Sequence, residues 1–319
     1  MIDAQGRPAL WMLGGAFCFA AMGATTHALG PRCDWLVVAL IRALMMFAST
    51  ALMARAAGVR LVVFRPTTLW MRSLGGSFSL VGNFFALTRL PVADAITLSN
   101  TYPLWIFLVT ALALRQVPAT AEVLGMASGL VGVVLIQRPH LGGDRFAVLV
   151  ALLSSVSTAV AMMGLHRLRG IDTRAIMAHF AGVASLVAGA WLFVRRDAIS
   201  PTTLDATTLL LLLGVGVSGT AGQFFLTRAY ASGPPTQVAV IGLTQVVFAL
   251  GFDMLLWGRS LTTMTLAGFV LVLAPTALLS GRAGRRLLAL GRSRRGRSSD
   301  VRAEETAPEP EVAAPAPAK

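Results

Sequence analysis

Ser99, Asn100, Thr101, Tyr102 and Pro103 follow one another inside RLPVADAITLSNTYPLWIFLVTALAL, a stretch otherwise apolar enough to cross a bilayer. Hydroxyl, amide and phenol groups gathered there can orient a polar ligand by hydrogen bonding. The proline is expected to kink this helix, removing a donor and releasing the carbonyl of Ser99, which lipid cannot satisfy; that carbonyl needs protein, water or ligand. The same chemistry recurs elsewhere. Arg72, Gly76, Ser79 and Asn83 fall on one helical face, as do Gly216, Gly219, Thr220, Gln223 and Thr227, and Thr244 and Gln245 interrupt a third apolar run. Arg42 stands well inside the run that begins at residue 35, about 10 Å below its edge at the helical rise. A guanidinium at that depth costs roughly 2.5–3.5 kcal/mol on insertion scales, so it is expected to face a cavity, a partner or, by snorkelling, the headgroups. The candidate ligand-binding residues are Arg42, Arg72, Ser79, Asn83, Ser99, Asn100, Tyr102, Pro103, Gln223, Thr244 and Gln245, the arginines being suited to a carboxylate or phosphate. Interhelical hydrogen bonding and close packing explain the two small-residue faces equally well.

Other chemistries find no set of residues. No Ser/His/Asp set, Walker sequence, HExxH or paired carboxylates occurs at a workable spacing. GVGVSG (214–219) matches a dinucleotide fingerprint in letters only, because no strand precedes it and no ribose-binding acid follows. Cys18 and Cys33 have neither metal-ligand spacing nor a disulfide framework. Neither a metal nor an organic cofactor is expected. Asp94, Glu122 and Asp253 lie near the ends of apolar runs, where they are expected to reach water, as are His27, His166 and His179. A carboxylate deep in a span, the mark of a proton relay, is missing.

The elements that must position these residues are membrane spans. Of 319 residues, 55% are hydrophobic and 13% charged, and the mean hydropathy is +0.72, far from the roughly quarter-charged soluble average. Ten apolar runs of spanning length occur, near 9–29, 35–55, 70–89, 92–114, 121–137, 145–166, 174–194, 206–230, 235–257 and 262–281. The first is long and leads into more spans, so it is read as a retained helix rather than a signal peptide. Short connections with breaker residues, such as GPRCDW (30–35) and ASGPP (231–235), imply antiparallel neighbours. With the N-terminus cytoplasmic, the inner side receives Arg7, Arg55, Arg60, Arg65, Arg72, Arg115, Arg167, Arg169, Arg174, Arg228 and the basic tail. The outer side then receives only Arg32, Arg89, Arg138, Arg145, Arg195, Arg196 and Arg259, which predicts both termini inside. The net charge of +13 comes from arginines scattered between apolar runs and from the tail, a distribution that argues against nucleic acid as a partner. Residues 282–319, basic and then acidic with Pro and Ala, read as a disordered tail whose arginines meet anionic lipid headgroups.

An offset of 143 residues lays the second five runs on the first five: Ala86 on Ala229, Pro91 on Pro234, Leu112 on Leu255, Thr120 on Thr263 and Gly125 on Gly268. The expected units are an N-terminus at 1–8, a first five-helix repeat at 9–137, a connecting loop at 138–144, a second repeat at 145–281 and the tail at 282–319. An odd number of spans per unit inverts the second relative to the first. The fold predicted is an all-α integral membrane protein of ten transmembrane helices in two inverted-topology repeats. Inverted repeats generate two packings around a midplane site, which favours a transporter over an enzyme, a receptor or a channel. A non-transporting membrane enzyme or scaffold on the same layout is the alternative.

The FxALxxxPxADAxxLxxxxP text of the first unit, followed by an apolar run, a short break and a Gly-rich helix, resembles the EamA-type members of the drug/metabolite transporter superfamily. That resemblance covers about residues 9–281. It implies a bacterial inner-membrane carrier of a small organic metabolite, for export or uptake, with a cavity drawing on helices 1, 3, 4, 6, 8 and 9. It also implies peripheral fifth and tenth helices, which make dimer contacts in some members; a homodimer is left open here. The Gly-Glu pair common at the end of the family's fourth helices is replaced by Arg115-Gln116 and Gly258-Arg259, so no role of that Glu carries over. The proline of the fourth helix is Pro103, and its repeat mate is Val246.

Overall fold

The structure is a computed structural model that describes residues 7–30, 32–64, 66–90, 92–112, 118–139, 144–195 and 205–280. The expected tail, most of the connecting loop and Arg115-Gln116 lie outside the described residues. Among those described, every regular element is a helix: α1 (Arg7–Leu29), α2 (Trp35–Ala56), α3 (Thr67–Arg89), α4 (Val92–Ser99), α5 (Tyr102–Leu112), α6 (Thr120–Gln137), α7 (Arg145–Arg167), α8 (Thr173–Val194), α9 (Ala206–Ser232), α10 (Pro235–Gly242), α11 (Thr244–Trp257) and α12 (Thr263–Ser280). Eight stretches, counting α4–α5 and α10–α11 as one each, are long and apolar enough to cross a membrane. The chain is therefore a multi-pass membrane protein. α3 is long but more polar, and α12 is apolar but shorter. Phe17, Leu52, Phe78, Leu186, Leu210 and Leu255 stand exposed on the bundle surface, as expected of side chains that meet lipid rather than water.

Acidic residues mark where helices begin. Asp34, Asp144, Asp172 and Asp205 are N-caps of α2, α7, α8 and α9, and each accepts a hydrogen bond from a backbone N–H of the first turn, satisfying donors the helix leaves orphaned. Asp205, in a loop, is held down at about 2 by the Thr208 hydroxyl and backbone N–H, with Arg32 adding to it. Its contribution to stability is present above the ordinary carboxylate range and is lost as pH falls from about 4 toward 2.

Helices pair antiparallel. On the α1–α9 seam, Gly14 meets Phe225, Gly15 meets Gly222 and Gly214 meets Thr25. On the α3–α7 seam, Gly75 lies on Ser157 and Ala161, while Gly164 lies on Thr68 and Arg72. α2 pairs with α8 in the same sense, Phe47 beside Gly182 and Leu40 beside Gly189. At the α6–α12 seam a Cβ on Gly132 would fall 2.7 Å from the Gly268 carbonyl, and one on Gly268 would fall 2.6 Å from the Gly132 carbonyl. Only glycine permits that approach. Loops are tied across the bundle as well: Arg32 pairs with Asp205 at 2.8 Å, Arg89 with Asp144 at 3.7 Å, Arg259 donates to the Ile136 carbonyl at 2.8 Å, and Arg138 bonds Thr262.

Two expectations need correction. Asp94 and Glu122 do not reach water: they are 1% and 2% exposed. Neighbouring helices plug the bundle there, and Glu122 spends its oxygens on the Ala119 N–H and on Gln237 Nε2, which donates at 3.0 Å. Nor is the fourth span a continuous kinked helix. α4 stops at Ser99 and α5 starts at Tyr102, so Pro103 sits in the first turn of α5, where its missing N–H costs no hydrogen bond.

Candidate functional site

The predicted polar residues gather in three places rather than around one chamber. Ser79 and Asn83 of α3, Ser99 of α4 and Thr158 of α7 form a chain: the Ser79 and Thr158 hydroxyls share a hydrogen bond, Asn83 Nδ2 donates to Ser79 Oγ at 3.3 Å, and Ser99 Oγ donates to Asn83 Oδ1 at 2.7 Å. Asn100 turns back on its own helix, donating to the Ile96 carbonyl. Next to it the Thr101 hydroxyl lies 3.0 Å from Ser155 Oγ, which also receives Trp105 Nε1–H at 2.8 Å. Most of this group's polar capacity is met inside the protein.

The second place is where the two broken spans cross. The Tyr102 hydroxyl reaches Gly242 at the end of α10 and meets the Tyr230 side chain of α9. Thr244, fully buried, donates to the Ile241 carbonyl at 2.7 Å, and Gln245 beside it is half-buried. Pro103 is buried on the first turn of α5.

The third place holds the arginines. Arg72, 2% exposed, lies with its guanidinium carbon 4.1 Å from the centroid of the Phe180 ring of α8, a cation–π contact strengthened by burial. Gly76, one turn on, has no Cβ to collide with that ring, which would be 2.7 Å away. Arg42 lies against Gly219 of α9, with Met22 of α1 on the same glycine. Phe180, under Arg72, packs in one apolar cluster with Ala43, the neighbour of Arg42 on α2. The Nε atoms of both arginines and Nε2 of Gln223, one turn beyond Gly219, are buried without a hydrogen-bond partner. Beside them a cavity of about 400 Å³ opens between α2, α8 and α9, walled by Met45, Met53, Met177, Phe224 and Phe225, with Ser49, Thr50, Thr220 and Arg174 as its polar members.

The sequence reading missed Ser155, Thr158, Phe180 and Tyr230. A signal existed for the first two, since Ser154, Ser155, Ser157 and Thr158 cluster in an apolar run; Phe180 is one phenylalanine among many. Among the described residues no cluster of His, Cys, Asp and Glu is placed to hold a metal, and the Cys33 thiol lies 3.6 Å from the Asp34 carbonyl.

A profile of the EamA-like transporter family matches residues 142–281. A pseudopaline exporter of Pseudomonas aeruginosa is 33% identical over 232 residues, covering 72% of this chain and 80% of that protein. An uncharacterized transporter of Helicobacter pylori is 28% identical over 219 residues, 66% of this chain and 72% of its own length. A riboflavin transporter of Rhizobium johnstonii is 28% identical over 146 residues, 46% of this chain and 47% of that one. A protein known from its crystal structure superposes with a TM-score of 0.75 at 19% identity, over 89% of this chain and 99% of its own.

Proposed function

We propose, from the premise that this chain belongs to the EamA-like transporter family, that it is a secondary carrier moving a small organic metabolite across the bacterial inner membrane by alternating access. The observation that carries the reading is the pattern of pairing. Shifted by 143 residues, α4 begins where α10 begins, α4 ends where α10 ends, and α6 begins and ends where α12 does. The same shift turns the α1–α9 seam into the α7–α3 seam, and both are antiparallel. Ten spans in two inverted units, 9–137 and 145–281, account for that pattern with one operation. Two units that pack chiefly on each other can rock about a shared interface, and the site follows at that interface.

In this reading both termini are cytoplasmic, and the bridging arginines Arg32, Arg89, Arg138 and Arg259 lie on the outer face. Their charge there is tied to neighbouring loops, in keeping with the inner arginine excess. The substrate contacts are Arg42, Arg72 and Gln223 in the interior, with Ser79, Asn83, Ser99, Asn100, Tyr102, Pro103, Thr244 and Gln245 lining or reshaping the path as the units move. Relatives named for exporting pseudopaline and for transporting riboflavin support a small organic cargo. The test is counterflow in proteoliposomes containing the purified chain, over a panel of amino acids, nucleosides, vitamins and small organic anions. Saturable flux is expected for at least one class; none across the panel, with folded protein, refutes the carrier.

A further inference from the structure

The buried groups left without partners at the arginine cluster are all donors. Arg42 Nε, Arg72 Nε and Gln223 Nε2 donate to nothing, and neither arginine makes an ion pair with a described residue. Among the described acids, Asp34, Asp144, Asp172 and Asp205 serve helix N-caps, Glu122 receives Gln237 and Asp253 pairs with Arg259. Buried donors with no acceptor call for a complement, and a set of two guanidiniums and an amide calls for one rich in acceptors and negatively charged. The cavity supplies the second observation. The α2 face that bears Arg42 continues at helical spacing through Met45, Ser49 and Met53, and the α8 face that bears Phe180 continues to Met177; all four of those continuations line the cavity. A charged end therefore adjoins an apolar chamber.

We infer that this interior binds a small organic dianion with an apolar body, its acidic groups shared between Arg42 and Arg72, its headgroup receiving Gln223, and its skeleton lying against Met45, Met53 and Phe224. The inference rests on the carrier reading and narrows its cargo. An empty site leaves two guanidiniums with buried Nε donors unmet, and a dianion would balance their charge.

The test is thermal unfolding of the purified full chain in detergent with benzylmalonate, malonate, phenylacetate, dimethyl benzylmalonate and inorganic phosphate. Benzylmalonate is expected to raise the Tm most, malonate and phenylacetate less, and the neutral diester not at all. Arg42→Gln and Arg72→Gln each abolish the benzylmalonate shift; the first leaves the ligand-free Tm unchanged or higher, because a buried charge without a counter-ion is removed, and the second lowers it only slightly, because the contact with Phe180 goes as well. Arg42→Lys and Arg72→Lys retain the shift at roughly tenfold higher concentration, since the charge stays and the fork is lost. A diester as effective as the diacid, phosphate as effective as benzylmalonate, a shift surviving either Gln variant, or a ligand-free Tm that collapses in both overturns the inference. Counterflow of a neutral cargo overturns it while sparing the carrier. Benzylmalonate stabilisation without flux of any solute does the reverse.

Discussion

The spans α4–α5 and α10–α11 break at the same level for different reasons. In the first, a neighbour's hydroxyl and a proline mark the break: Ser155 of α7 receives Trp105 and lies 3.0 Å from the Thr101 hydroxyl, and Pro103 opens the new helix. The Thr101 bond to the Leu98 carbonyl has its counterpart at the second break in the Thr244 bond to Ile241. In the second there is no proline at the matching position. Leu243 keeps helical angles, with φ −61° and ψ −19°, and is wholly buried. It packs where Gly129 of α6 leaves room, a Cβ on that glycine falling 2.7 Å from the leucine. A proline is thus not required for the break. One is held by hydrogen bonds to a neighbour, the other by apolar packing against one.

Leu243→Ala tests the packed break most severely. It should cost about 2–5 kcal/mol by emptying a fully buried site, read as a fall in the Tm of the purified protein; a change near zero would remove packing as the cause. Ser155→Ala probes the polar break, and is expected to cost about 1–3 kcal/mol because the Trp105 N–H is left buried and unpaired. An unchanged Tm with unchanged Trp105 fluorescence would show that the bond holds nothing. Gly242→Ala strikes where the two breaks touch: its Cβ would meet the Tyr102 hydroxyl at 2.6 Å and Met12 Cε at 2.8 Å. Both are ends of adaptable side chains, so about 1 kcal/mol is expected. Adding Tyr102→Phe should recover part of it in a double-mutant cycle. Pro103→Ala should change least, by under about 1 kcal/mol, since the residue occupies a first turn. Amide exchange across 99–104 should still report a helix end there. Protection continuous through the segment would make the proline the cause after all.

Long apolar runs located the eight spanning stretches to within a few residues because span length and hydropathy are properties of the segment alone, whereas α3 is more polar and α12 shorter than the expected spans. The break at Ser99 was half legible through Pro103, although a kink was expected where the helix stops. The break at Leu243 was signalled only by Thr244 and Gln245, which interrupt the run; Leu243 itself is an apolar residue in an apolar run, and packing against α6 places it at the turn. Burial of Asp94 and Glu122 was misjudged for a related reason: nearness to a span end says nothing about which neighbouring helix covers it. The arginines were legible as costly residues, but the ring against Arg72 and the glycine against Arg42 come from α8 and α9, more than a hundred residues away. Asn83 and Ser79 were singled out correctly as a face, while their bonds to Ser99 and Thr158 depend on pairings no periodicity contains.

The α6–α12 seam reads the same from either side. Each glycine sits under the other's carbonyl, and Ser128 Oγ donates to the carbonyl of Leu271, the residue 143 positions on. Under the 143-residue shift the mate of the Gly132–Gly268 contact is Gly125 against Pro275, which also touch, so in the proposed two-unit reading the seam is of the isologous kind that joins two copies of one chain. A change at one glycine is therefore a change to only half of a self-complementary surface, and repairing it in place would require a matching change on the other helix. Under the proposed two-unit reading, the halves of this single chain are bound there by the rules that govern a homodimer.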